Sequence, residues 1–285
     1  MSRLPDPLLR DLLPDDAPFG DLTTEALGIG ERPARITFAA RRAMTLAGGA
    51  EAARMLELAG AQRVALHAGT GAALAAGGVF LTAEGSAAVL HRAWKSAQTL
   101  AETMSGIATR AAAMVAAARR GDPATVVACT RKTFPGGKAV CVAAVKAGGA
   151  QMHRLSLSET VLLFPEHLAF CADPAAAIAA VRARLPEKKV VVEVGSPAAA
   201  LAAAEAGADV VQLEKLSPEV AAAIAADLRR LPHPPVLAAA GGVTADNAEA
   251  YARAGCRVLV TTWPYLGAPA DVAVTLAPAL PADGG

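Results

Sequence analysis

Val126-Val127-Ala128-Cys129-Thr130-Arg131-Lys132-Thr133-Phe134-Pro135-Gly136-Gly137-Lys138 joins an apolar run to two adjacent cations, a Pro-Gly-Gly turn and a third cation. The run reads as a buried strand that delivers Arg131 and Lys132 to its carboxyl end. Neighbouring cations of this kind, with Lys138 beyond the turn, suit a ligand carrying several negative groups, either phosphates or carboxylates. A solvated basic loop would use the same residues, so the stretch alone leaves both readings open. Two familiar phosphate devices are excluded. A P-loop needs glycine where Lys132 stands, and Gly28 and Gly30 are followed by Arg32 and Pro33 rather than by the rest of a Gly-x-Gly-x-x-Gly.

Outward from this stretch the chain repeats one theme. Apolar runs recur at Thr125 to Cys129, Thr160 to Phe164, Lys189 to Val194, Asp209 to Leu213, Val236 to Ala240 and Arg257 to Thr261. Helical stretches separate most of them, at Ala175 to Leu185, Pro197 to Ala206, Pro218 to Leu231 and Ala245 to Ala254. Short, fully apolar strands alternating with helices imply a parallel sheet, either doubly wound or closed toward a barrel. A (β/α) barrel is the better reading, because polar residues cluster where the runs end and a barrel gathers all those ends around one mouth.

Residues 1–108 read as a separate α/β unit, which residues 266–285 are expected to join, and 109–265 as the barrel. A short amphipathic helix spans Leu4 to Leu13, and a polar loop with several cap candidates follows at Asp15 to Thr24. Strands are expected at Arg35 to Leu46, Arg63 to His67 and Val79 to Thr82, with a helix at Ala50 to Ala59. A long alanine-rich helix starts near Ser86, carries Arg92, Trp94 and Lys95 in one turn, and is expected to break or recap at Ser105-Gly106.

Composition excludes several classes of function. Lys plus Arg total 27 against 26 Asp plus Glu, so the basic excess usual in a nucleic-acid binder is missing. Cys129, Cys141, Cys171 and Cys256 are scattered without a Cys-x-x-Cys, and the five histidines form no His-Glu-x-x-His, so no structural metal is expected. The start is acidic and proline-containing, and no apolar run approaches membrane-spanning length, which reads as a cytoplasmic protein without a membrane partner.

The strand ends supply the candidate site. Glu193 lies inside Val190-Val191-Val192-Glu193-Val194, where an unpaired buried carboxylate would be costly and a functional one makes sense. Glu214 precedes Lys215 and reads equally as a surface ion pair. Gly241-Gly242 is either a tight turn or a phosphate-binding approach to a helix N-terminus. Thr261-Thr262 ends the last run, and His153-Arg154 precedes the second.

Taken together, five blocks resemble the quinolinate phosphoribosyltransferase family and occur in its order. They are Gly20-Asp21-Leu22-Thr23-Thr24, Ser105-Gly106-Ile107-Ala108-Thr109, Thr130-Arg131-Lys132-Thr133 with Pro135-Gly136, Gly148-Gly149 with His153-Arg154, and Gly241-Gly242. The segment His153 to Thr160, continuing to Phe164-Pro165-Glu166-His167, is similar to the pyrophosphorylase-like branch associated with molybdate transport. The resemblance implies an N-terminal α/β sandwich, an open (β/α) barrel and a homodimer with shared active sites. It also implies phosphoribosyl transfer from phosphoribosyl pyrophosphate (PRPP), with Mg2+ bound through the pyrophosphate. Lys132, Glu193 and Glu214 then match catalytic positions, and Lys95, Arg131, Lys138, His153, Arg154 and Phe164 match substrate-binding ones. Gly241, Gly242, Thr261 and Thr262 match the phosphate site.

Departures from the family pattern point to a changed acceptor. Lys95 stands for an arginine, Phe164 for a lysine, and the lysine-rich segment after Pro135-Gly136 is reduced to Lys138. The expected activity is transfer to a nitrogen heterocycle other than quinolinate, with the link to molybdenum metabolism that the resemblance implies. An authentic quinolinate enzyme and a non-catalytic oxyanion- or nucleotide-binding barrel are the alternatives.

Overall fold

The apolar runs after residue 110 lie side by side as parallel strands, each covered by helices, as their lack of alternation demands. The computed structural model describes residues 4–14 and 16–279. Asp15 of the N-terminal loop, and residues 280–285 of the tail expected to join the first unit, lie outside the described residues.

In chain order the elements begin with α1 (Asp6–Leu12), α2 (Leu22–Ala26), β1 (Pro33–Ala40), β2 (Met44–Thr45), α3 (Gly49–Ala59), β3 (Gln62–Leu66), β4 (Ala73–Leu74), β5 (Val79–Ser86) and α4 (Ala87–Gly121). They continue with β6 (Val126–Cys129), α5 (Lys138–Ala147), β7 (Gln151–Met152), β8 (Val161–Leu163), α6 (Pro165–Leu168), α7 (Pro174–Arg184) and β9 (Val190–Val194). The chain closes with α8 (Pro197–Glu205), β10 (Val210–Glu214), α9 (Pro218–Leu228), β11 (Val236–Ala240), α10 (Ala248–Arg253), β12 (Val258–Thr261), a 3-10 turn at Trp263–Leu266 and β13 (Val272–Pro278).

Two compact units result. Of the described residues, one comprises those within 4–109, 135–149 and 267–279, and the other 110–134 and 150–266. The first contains a four-stranded antiparallel sheet ordered β13-β1-β5-β3. Its buried face presents Ile36, Phe38, Phe80 and Leu81, with the Phe38 and Phe80 rings 6.1 Å apart. β13 supplies the edge beside β1, a strand that the expected elements did not include.

Helix α4 is unbroken through Ser105-Gly106, contrary to the expected break. Ser105 Oγ donates to the Ala47 carbonyl at 2.9 Å and accepts from the Ala47 amide at 3.0 Å, so the hydroxyl satisfies the chain beside the helix rather than ending it. A Cβ on Gly106 would stand 2.8 Å from the Ala268 carbonyl and the Pro269 Cα. Small residues there serve close packing, for which helix propensity is given up.

The second unit is an open barrel. Its seven strands run β7-β6-β12-β11-β10-β9-β8 with every pair parallel, and β7 and β8 are the unpaired edges. Three barrel helices begin alike: Asp173, Ser196 and Ser217 accept hydrogen bonds from amides in the first turn, and Pro174, Pro197 and Pro218 follow each cap. Proline at that position sacrifices no helix hydrogen bond, so each crossover is terminated and restarted sharply. No helix among the described residues is long and apolar enough to cross a membrane.

Candidate active site

The carboxyl ends of the barrel strands surround a cavity of about 450 Å3. Arg131, Lys132, His153, Arg154, Phe164, Glu193, Glu214, Gly241, Gly242, Thr261 and Thr262 all line it. Lys95 and Lys138 do not. Lys95, on α4 in the first unit, lies 4.1 Å over the Trp94 ring and donates to Gln98 at 3.0 Å. Lys138 opens α5, also grouped with the first unit, and lines a separate cavity there with Glu51 and Lys146.

The cations come from β6 and β7. Arg131 and Lys132 leave the end of β6, and the Lys132 amide donates to Thr130 Oγ1 at 3.3 Å. His153 and Arg154 leave the end of β7, a two-residue strand that is too short to show periodicity in the sequence. They therefore occupy a strand end, like the other candidates, rather than a loop ahead of a strand. Arg154 is only 5% exposed; its guanidinium donates to the Thr160 carbonyl at 3.5 Å and lies 5.8 Å from the Phe164 ring. The Phe164 ring also stacks on His167 at 5.6 Å with an interplanar angle of 22°. Burial, followed by repulsion from Arg154 and Arg131, pushes the His153 imidazole below its ordinary value, so near neutral pH it is an uncharged hydrogen-bonding group beside two permanent cations.

The carboxylates come from β9 and β10. Gln212 is the register partner of Glu193, and Gln212 and Glu214 lie two apart on β10, which places them on one face. Gln212 Nε2 donates to Glu193 Oε2 at 2.7 Å. Burial raises the Glu193 carboxyl above the ordinary range, and Glu214 and Glu166 push the same way; the Gln212 hydrogen bond and the Lys132 charge oppose them. Glu214 Oε1 is 3.8 Å from Lys215 Nζ, a pair with an exposed lysine, and Glu214 also lines the cavity.

Between the two charged arcs lie β11 and β12. Gly241 and Gly242 have φ of 78° and 93°, values that side chains rarely adopt. Helix α10 starts only at Ala248, so the glycine pair lies in the loop ahead of it and not at a helix N-terminus, one of the two readings the sequence allowed. Asn247 braces that loop, donating to the Gly242 carbonyl at 3.0 Å and accepting from the Thr244 amide at 2.9 Å. Thr261 donates to the Val243 carbonyl at 2.7 Å and accepts from the Trp263 amide at 3.0 Å. Thr262 shares a 2.8 Å hydroxyl contact with Thr130. Thr261 is thus committed to holding the loop, whereas Thr262 and Thr130 offer hydroxyls at the rim.

Gln212, Thr130, Thr244 and Lys215 line the cavity without having been singled out in the sequence. Gln212 had a legible signal: an amide inside the run Val210-Val211-Gln212-Leu213 has to find partners once buried. Lys215 had none, since its φ of 56° at the strand exit is a tertiary outcome.

Comparison with known proteins agrees with this geometry. The family model described as the C-terminal domain of quinolinate phosphoribosyl transferase matches residues 107–274, and that of the N-terminal domain matches residues 21–105. A Rhodobacter capsulatus protein named as a pyrophosphorylase, ModD, is 50% identical over 221 residues, covering 77% of this chain and 85% of the relative. A Methanothermobacter thermautotrophicus protein named as a carboxylating nicotinate-nucleotide pyrophosphorylase is 34% identical over 255 residues, covering 88% and 91%. The crystal structure of NadC from Streptococcus pyogenes superposes with a TM-score of 0.87 at 27% identity, covering 97% of this chain and 99% of that one.

Proposed function

The chain belongs to the quinolinate phosphoribosyltransferase family, enzymes of the pentosyltransferase type, and from that premise we propose that it transfers a phosphoribosyl group from PRPP to a nitrogen heterocycle, releasing pyrophosphate. The observation that carries this reading is the segregation of charge around one mouth. Arg131, Lys132 and Arg154 stand at the ends of β6 and β7, and Glu193 and Glu214 stand on β9 and β10. Phosphoribosyl transfer needs both. The C1–O bond to pyrophosphate breaks with its electron pair leaving on the pyrophosphate, which requires cations and amide donors. The anomeric carbon turns positive, which requires nearby carboxylates. The lone pair of a ring nitrogen then forms the C1–N bond, and a ring that carried N–H there loses that proton to solvent. Magnesium enters as the counter-ion of the donor's pyrophosphate, part of the substrate.

Within this reading Lys132 and the Gly241-Gly242 loop receive phosphate oxygens. Each charge-assisted contact contributes on the order of 1.5–3 kcal/mol. Glu193 and Glu214 face the sugar. Phe164 contributes an apolar ring to the cavity wall where the acceptor would sit. That wall favours a ring with fewer negative charges than quinolinate. The link to molybdate transport that the resemblance implies sets the context in which to seek the acceptor.

The test is pyrophosphate release from PRPP and magnesium on addition of a panel of heterocycles that includes quinolinate. Release with an acceptor other than quinolinate is expected. Efficient release with quinolinate would favour the authentic quinolinate enzyme. Calorimetry showing no magnesium-dependent PRPP binding at millimolar concentration would leave a non-catalytic barrel.

A further inference from the structure

We propose that Gln212 is a positioning residue for sugar recognition, its amide holding the Glu193 carboxylate in the orientation that reads the hydroxyl groups of a ribosyl donor. The inference rests on the phosphoribosyl-transfer reading and adds to it a residue that no catalytic argument requires.

The first observation is geometric. Glu193 and Gln212 are register partners on adjacent strands, and the amide nitrogen donates to one carboxylate oxygen at 2.7 Å. Three other charges act on that carboxylate: Glu214 from β10 and Glu166 from α6 repel it, and Lys132 from beyond β6 attracts it. Repulsion from Glu214, on the same strand as Gln212, would by itself swing it away from the β10 side of the mouth. The amide opposes that swing. It also occupies one of about four lone-pair sites on an acceptor-only group, leaving the others for O–H donors.

The second observation is a cost. Gln212 is 3% exposed, and its Oε1 is the one buried side-chain polar atom among the described residues without a hydrogen-bond partner. Leaving a buried acceptor unsatisfied is destabilising. An apolar side chain like its neighbours Val211 and Leu213 would bear no such penalty. A glutamine whose only side-chain hydrogen bond among the described residues goes to a carboxylate facing the cavity is therefore retained at the expense of the fold, a pattern expected at functional positions.

The experiment compares the binding of ribose 5-phosphate and 2-deoxyribose 5-phosphate by calorimetry in wild type, Gln212→Met and Gln212→Glu, with PRPP and magnesium titrated alongside. Wild type should prefer the ribose form tenfold or more. Gln212→Met, of similar length and with no donor, should lower that preference below twofold while its thermal midpoint equals or exceeds that of wild type. A purely structural glutamine would instead lower the midpoint and leave the preference intact. Gln212→Glu keeps the shape but sets an oxygen against the carboxylate, so it should lose the preference as well, and it serves if Gln212→Met fails to fold. A preference absent in wild type, or kept in either folded variant, would overturn the inference while PRPP binding stands. Failure of wild type to bind PRPP would overturn the underlying reading too.

Discussion

The Cβ that Gly241 lacks would stand 2.6 Å from Glu214 Oε1, so the glycine loop after β11 and the carboxylate ending β10 occupy one tightly shared space. With φ at 78°, Gly241 is held there by conformation as well as by contact. Gly241→Ala meets both obstacles. The left-handed backbone alone costs about 1–2 kcal/mol for a side chain, and Glu214 has to move off the cavity wall. Expected results are a lower thermal midpoint and at least tenfold weaker magnesium–PRPP binding by calorimetry. Gly242→Ala has open space around its Cβ, so it should show the backbone penalty with a much smaller loss of binding.

The raised Glu193 carboxyl sets a pH dependence. Its folded-state value lies above 4.5, so between the two values the folded chain holds the proton that the unfolded chain has released. Stability from this group is therefore fully present below the unfolded value and is lost as pH rises through the folded one. Glu193→Gln removes the charge and should be as stable as wild type, or more so, at pH 7–8. Activity runs the other way, because the ionised form faces the anomeric carbon. The acidic limb of kcat should lie above the ordinary glutamate value, and Glu193→Gln should abolish turnover across the profile. An unshifted limb near pH 4.5 would count against Glu193 as the group that must be ionised.

Phe164 predicts poor use of quinolinate. Two adjacent carboxylates need charged donors once the mouth is dry, and at this position the structure offers an uncharged aromatic ring. A carboxylate short of a partner costs roughly 1–3 kcal/mol, or about a 5- to 150-fold loss. Steady-state kinetics should show wild-type efficiency on quinolinate well below about 10⁴ M⁻¹s⁻¹, an ordinary value for a true substrate. Phe164→Lys should raise it, and no gain would shift the blame to Lys95 or to pocket shape.

Lys95 bears on assembly. Its ammonium lies over Trp94 and donates to Gln98 within the first unit. A homodimer in which it completes the neighbour's site predicts a dimer by light scattering and reduced activity in Lys95→Ala. Mixing Lys95→Ala with Lys132→Ala should then give more activity than either variant alone, because each mixed dimer holds one intact site. A monomer at working concentration, or no gain on mixing, would remove shared sites.

Much of the barrel was legible because parallel strands buried on both faces have to be continuously apolar. The six expected runs match β6 and β8 to β12 within a residue or two. Strand ends were legible too, since charge stops an apolar run abruptly. Arg131, Lys132 and Glu214 could be named from that transition, and Glu193 from standing as a lone carboxylate inside an apolar run. What escaped were elements too short or too dependent on partners to carry a period. β7 has two residues and exists by pairing with β6, and β13 is defined by its antiparallel register on β1. Ser105-Gly106 looks like a helix stop by local propensity, and only close packing against Ala47 and Ala268 shows why the helix continues. Local chemistry determined which residues end strands. The tertiary structure decided what those residues meet: the Gln212 amide clasping Glu193, the neutral His153 beside two arginines, and the glycine loop seated on Glu214. Each depends on distances between segments remote in the chain, set by the register and packing of the whole sheet.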